Sequence, residues 1–207
     1  MAEPAAPAPR RADARRNRAR VLEAAEVLFA ADGLATPVEE IAGRAGVGVG
    51  TVYRHFPAKE ALFEAVLIRR FERLTGEADS LGSSPDAGAA FFGLFTRMVA
   101  EAGTKKALAD ALARAGVDVR AATSPAAREL RRAFGALLAR AQRAGAVRDD
   151  VDVDRVMAVL AGACLAAEHA TWDRGLRDGA LAIIFDGLRP RGNALNPTLS
   201  GERGSDG

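Results

Sequence analysis

The stretch TPVEEIAGRAGVGVGTVYRHF, running from Thr36 to Phe56, reads as two short helices and the turn between them. Thr36 can cap a helix whose first residue is Pro37, and Glu39 stands where a carboxylate can reach back to complete a capping box. Val38, Ile41, Ala42 and Ala45 recur at helical spacing, which gathers the apolar groups on one face. Gly46 ends this helix, because glycine enters the left-handed conformation without steric penalty and lets the chain turn into Val47. A second helix then covers Val49 to His55, with Ala42 small enough for a close crossing and Val47 and Val52 making the contact. This is the pattern of a helix-turn-helix. The second helix buries little beyond Val52, so Val49, Gly50, Thr51, Tyr53, Arg54 and His55 are left for another surface. Small and hydroxyl residues at a helix N-terminus suit base edges in the major groove, while Tyr53 and Lys59 can bond phosphates. The alternative is a tight helical hairpin inside a larger bundle.

Gly50-Thr51-Val52-Tyr53-Arg54-His55-Phe56-Pro57-Ala58-Lys59-Glu60-Ala61-Leu62 closely resembles the signature of the TetR family of bacterial transcriptional regulators. The usual form there is Gly-x-Leu-Tyr-x-His-Phe-x-x-Lys-Glu-x-Leu, and the resemblance extends over roughly Val21 to Leu67. It implies that Gly50, Thr51, Tyr53, His55 and Lys59 contact DNA. Gly48 stands where many members have a capping serine, and Val38 where a threonine often bonds phosphate, so neither contact is carried over.

Outside this stretch the 207 residues are 49% hydrophobic, rich in alanine and only 5% aromatic, with little alternation of valine or isoleucine with polar residues. An all-α fold is expected, large enough for a small module and a bundle. The single cysteine, Cys164, permits no internal disulfide and fits a reducing cytoplasm. No run approaches the ~20 apolar residues needed to cross a bilayer, and no signal-peptide core is present, so a cytoplasmic protein without membrane contact is expected. The net charge of +2 does not by itself argue for nucleic acid. Its distribution is more informative, since Arg10, Arg11, Arg15, Arg16, Arg18 and Arg20 crowd together against Asp13 alone. That cluster suits phosphate attraction or a minor-groove arm, and equally a solvated basic lead-in.

Four segments are expected: residues 1–13 as a disordered Ala/Pro/Arg-rich arm, 14–60 as a helix-turn-helix DNA-binding domain, 61–188 as a helical ligand-binding and dimerisation domain, and 189–207 as a disordered tail. The head comprises a helix over about 14–31 ended by Gly33, then the two short helices, with Phe29, Ile41, Val52 and Phe56 as its core. A long helix from about Pro57 to Leu81 links head to bundle. Further helices are expected at about 87–102, 105–115, 125–145, 153–172 and 176–188, with Ser124-Pro125 and Asp152 as starts and Gly103, Gly116 and Gly145 as stops.

The bundle carries no catalytic signature. Cys164, Glu168 and His169 lie close together on one helix, but adjacent cysteine and histidine diverge and no glycine-rich oxyanion loop accompanies them. The two histidines, His55 and His169, lie in different expected domains, so no metal site is expected, and no cofactor. A small-molecule pocket is more plausible: Phe91, Phe95, Met98, Phe134, Leu138, Met157, Glu168, His169 and Trp172 would supply adaptable apolar walls with few polar anchors. Each of these stripes can equally be core.

The last two helices carry apolar residues beyond what a terminal hairpin needs. Val156, Leu160, Ala163 and Ala167 on one, with Ile183, Ile184 and Leu188 on the other, could pair across a two-fold axis as a four-helix interface. The resemblance implies dimerisation through these helices. The expected function is a homodimeric repressor that binds a palindromic double-stranded operator and leaves it when a small molecule binds. Alternatives are a DNA-binding dimer without ligand response, or a helical carrier or enzyme.

Overall fold

The computed structural model describes residues 9–32, 35–102, 119–169 and 172–190, which form eight helices and no strand. They are α1 (Pro9–Asp32), α2 (Val38–Ala45), α3 (Val49–His55), α4 (Lys59–Leu81), α5 (Ala87–Ala100), α6 (Val119–Arg143), α7 (Val153–His169) and α8 (Arg174–Leu188). Residues 1–8, the Gly33 stop, the 105–115 helix with Gly103 and Gly116, and the tail from 191 lie outside the described residues.

Two apolar cores are threaded by one helix. Val21, Leu22, Ala25 and Phe29 of α1 close over Val38, Ile41 and Ala42 of α2 and Val52 of α3, together with Phe56 and with Leu62, Phe63, Val66 and Leu67 of α4. Phe29 stacks on Phe63 with ring centroids 3.6 Å apart, so an aromatic pair joins the first helix to the fourth. Further along α4, Leu74 and Ala78 enter the second core with Phe91, Leu94 and Phe95 of α5, Leu130, Phe134, Leu137 and Leu138 of α6, and Val156 and Leu160 of α7. At 23 residues, α4 is about 35 Å long and reaches through both. Phe71, midway, packs against each core.

Several boundaries differ from the sequence expectation for identifiable reasons. α1 begins at Pro9 rather than near residue 14, so Pro9 to Asp13 of the expected arm are helical. Proline is well suited to a first helical position, where its missing N–H would have had no partner, and the alanines and arginines that follow favour helix. Thr36 does not cap α2; the N-cap is Pro37, no side chain caps the helix, and the expected box with Glu39 does not form. Thr36 is instead 1% exposed and donates its hydroxyl to the Leu28 carbonyl of α1 at 3.3 Å, as a buried hydroxyl needs a partner. α6 starts at Val119 and runs through Pro125, forgoing the bond that residue's N–H would have made. Asp152 opens its helix as expected, accepting from the Arg155 N–H at 2.8 Å, and Asp173, not among the expected starts, caps α8 by accepting from the Leu176 N–H at 2.8 Å. α7 ends at His169, so Trp172 lies beyond it.

Candidate functional site

The turn between α2 and α3 is built by backbone bonds. Gly46 sits at φ 62°, its N–H bonds the Gly43 carbonyl at 3.1 Å, and the Val47 N–H bonds the Ala42 carbonyl at 3.0 Å. This paired closure is a Schellman motif, with Val47 brought back over Ala42. A side chain from α1 completes it: the Arg20 guanidinium donates to the Ala45 carbonyl at 2.8 Å and to the Gly46 carbonyl at 2.7 Å. A cation here satisfies carbonyls at the negative end of the α2 dipole. Arg18 lies over the Phe56 ring at 5.1 Å, just past α3, and Arg69 of α4 donates to the Ala19 carbonyl at 3.2 Å. The basic run near the N-terminus thus includes residues that fasten the head together. Arg20→Gln is expected to destabilise the head by about 1–2 kcal/mol, seen as a lower urea midpoint.

α3 is held to the head by one buried residue of its own, Val52. Around it Gly50, Tyr53 and Arg54 are exposed, Thr51, His55 and the adjoining Lys59 are half-buried, and Val49, also half-buried, packs against the head's core. Tyr53, at 45% exposed, stands among the few large apolar side chains that face solvent. Gly50 lies in open space, with nothing within 4 Å of where a Cβ would be. A helix N-terminus with hydroxyls and cations close by has the chemistry suited to base edges and phosphates.

In the bundle the expected pocket residues do not enclose one space. Phe91, Phe95 and Phe134 are fully buried and touch one another, with centroids of Phe134 at 5.3 Å from Phe91 and 6.5 Å from Phe95. Leu138 is buried in the same core, while Met98 and Met157 pack against it, and Trp172 is half-buried. These rings fill the centre of the second core. The side chains of Glu168 and His169 lie outside the described residues. Cys164 faces the Met98 carbonyl, 3.8 Å from its sulfur.

A cavity of about 40 Å³ lies instead beside α4, lined by Leu67, Arg70, Phe71, Leu74, Met98, Glu101, Leu130 and Cys164. Of the expected set it includes Met98. Arg70 is 8% exposed; its guanidinium donates to the Glu101 carbonyl at 2.6 Å and lies 3.1 Å from the Glu101 carboxylate. Arg73, one turn on, holds the same carboxylate at 2.6 Å, and that hydrogen bond raises its pKa above the usual arginine value. The sequence signal for this cluster was the arginine at position 70 on the otherwise apolar stripe Leu67, Phe71, Leu74 of a helix that must be buried on that side.

Six of the seven residues expected at a dimer interface serve the monomer. Val156, Leu160, Ala163 and Leu188 are buried in the chain's own second core, and Ala167 and Ile184 pack against it. One helical stripe cannot face the core and a partner at once. The exposed large apolar residues here are Val159 and Leu165 on α7 and Leu176 and Ile183 on α8, with Ile183 76% exposed. Exposed Gly162, Gly179 and Ala182 lie among them.

Comparison with known proteins agrees with this architecture. Residues 21–66 match the bacterial regulatory proteins of the tetR family, and residues 86–190 match the C-terminal domain of SbtR-like transcriptional regulators. A TetR transcription regulatory protein of known structure from Mycobacterium vanbaalenii is 44% identical, with 88% of this chain and all of that one covered at a TM-score of 0.74. Among curated relatives, the HTH-type transcriptional repressor KstR of Rhodococcus jostii is 42% identical over 69 residues, 33% of this chain and 31% of its own length. KstR of Mycobacterium tuberculosis is 30% identical over 141 residues, 66% of this chain and 63% of its own. The match therefore spans less than two thirds of either curated relative. No helix among the described residues is long and apolar enough to cross a membrane. With both its head and its bundle matched over these ranges, the chain belongs to the TetR family of bacterial transcriptional regulators.

Proposed function

We propose that the protein is a homodimeric repressor that reads a two-fold symmetric operator with α3 and leaves it when a small molecule occupies the bundle. The observation that carries this reading is the stance of α3, fixed to the head by Val52 while Gly50, Tyr53 and Arg54 remain open to solvent. Membership of the family supports DNA binding, and the name repressor carried by the KstR relatives supports the direction of control. The head would extend to about residue 60 and the bundle from there to residue 188. Dimer pairing would use the outward face of α7 and α8, placing two copies of α3 on half-sites about 34–36 Å apart or a multiple of that. A ligand that shifts α4 changes that separation, and full release from a strongly biased state needs about 5.5 kcal/mol of differential affinity.

Selection of bound duplexes from a random pool tests the reading. It should recover an inverted repeat, and failure to retain any duplex at low salt would refute it. Lys59→Ala is expected to weaken binding to all sequences by about tenfold and to lower the slope of affinity against salt by about one, whereas Thr51→Ala should alter sequence preference. Fluorescence anisotropy across a salt series separates the two.

A second reading, a DNA-binding dimer without ligand response, is favoured by the small size of the enclosed space beside α4, about 40 Å³. Ligand pockets are commonly about 300 Å³ or more. Under the first reading the cavity must widen on binding.

A further inference from the structure

The cavity beside α4 lies on the seam between the two cores. Leu67 on its wall belongs to the head core, Leu74 and Leu130 belong to the bundle core, and Phe71 packs on both. Any molecule that widens this space therefore separates surfaces on which the angle of α4 depends. The lining is apolar except for Arg70 and Glu101, so the chemistry of an occupant turns on that pair.

The pair is unequal. Glu101 is held by two arginines, and its shorter contact, 2.6 Å, is with Arg73 near the surface, against 3.1 Å to Arg70. It can release Arg70 and stay paired. Arg70 has no such reserve: it is more than nine-tenths buried, and among the described residues its polar partners are the carbonyl and carboxylate of Glu101. A guanidinium cannot shed its proton at physiological pH, and a buried cation without an anion is strongly disfavoured. Opening the cavity by drawing Glu101 away thus requires a replacement anion. The planar fork of arginine matches a carboxylate with two parallel hydrogen bonds.

We propose that the effector is an apolar molecule ending in a carboxylate, which takes the place of Glu101 at Arg70 while its body occupies the space between Leu67, Phe71, Leu74, Met98 and Leu130. This rests on the effector-released reading above and gives it a ligand class. In the closed form the Glu101 side chain stands in for the ligand's own head group. Arg70 is then the specificity-determining residue and Glu101 the internal competitor.

Calorimetric titration of the full chain with decanoate, 1-decanol and acetate tests this. Decanoate should bind saturably, one per chain, and about tenfold or more tighter than 1-decanol, the difference expected of one charge-assisted pair, while acetate should show no saturable binding. Arg70→Met should bring decanoate and 1-decanol within about twofold of each other. Glu101→Gln removes the competitor and should tighten decanoate binding by about tenfold, and it serves if the Arg70 variant fails to fold. Equal affinity for decanoate and 1-decanol, an unchanged preference in Arg70→Met, or unchanged decanoate affinity in Glu101→Gln would each overturn the proposal, as would absence of saturable decanoate binding. Anisotropy on DNA alone keeps the two readings apart. A chain that binds operator but not decanoate retains the regulator reading and loses this ligand class. A chain that binds decanoate through Arg70 without leaving DNA retains the ligand class and loses the release mechanism.

Discussion

Gly50→Glu should leave the fold intact and weaken operator binding by about a hundredfold or more. Space is available, since no atom lies within 4 Å of the added Cβ and the position is exposed. Helix stability should hold or rise slightly, by about 0.5–1 kcal/mol, because glycine is a poor helix former and an acid near a helix N-terminus complements the dipole. The proposed interface suffers on two counts. The side chain occupies the place where backbone would approach base edges, and its carboxylate meets the phosphates with like charge. Loss of one base contact costs about 1–3 kcal/mol, and ~2.7 kcal/mol is already a hundredfold. Gly50→Lys separates the causes, as its bulk should erase sequence preference while its charge sustains non-specific binding. Thermal melting and anisotropy on the same samples provide the check. Tight operator binding by the glutamate variant would mean that α3 does not meet DNA with this face.

The second large effect is expected from Ile183→Glu. In a single chain this position is 76% exposed, so the carboxylate stays hydrated and the monomer's core is untouched. In the proposed dimer, paired through exposed apolar residues of α7 and α8, the substitution occurs twice about a two-fold axis and places an unpaired acid on each side. Removing such charges from water without partners costs several kcal/mol, enough to dissociate the pair at micromolar concentration. Sedimentation should show monomers, and operator affinity should fall by about a hundredfold, since one head alone holds half of the contacts. Val156→Ala should behave oppositely, lowering stability through its buried side chain while leaving the oligomer in place. A glutamate variant that remains dimeric would move the interface elsewhere.

The head was legible because its signals are local. Gly46 marks a left-handed residue wherever it occurs after an amphipathic turn, and Val49–His55 came out with the bounds read from the chain. Thr36 shows where local rules stop: its type fits an N-cap, but burial against α1 gave its hydroxyl the Leu28 carbonyl. Pro125 is similar, since α6 runs through it despite the lost bond. In the bundle, periodicity identified apolar stripes but not their occupants. Val156, Leu160 and Ala163 share a stripe with correct helical spacing, and only packing shows that it faces the chain's own core and leaves Val159 and Leu165 outward.

From sequence alone came the all-helical class, the helix-turn-helix, the linking helix and the family resemblance, because each depends on residues within a few turns of one another. Tertiary structure decided which aromatic residues fill the core, where the cavity lies, which side of the last hairpin faces out, and that Arg70 meets Glu101. Those outcomes depend on contacts between residues tens of positions apart, and helix spacing states which residues share a side without stating what stands opposite.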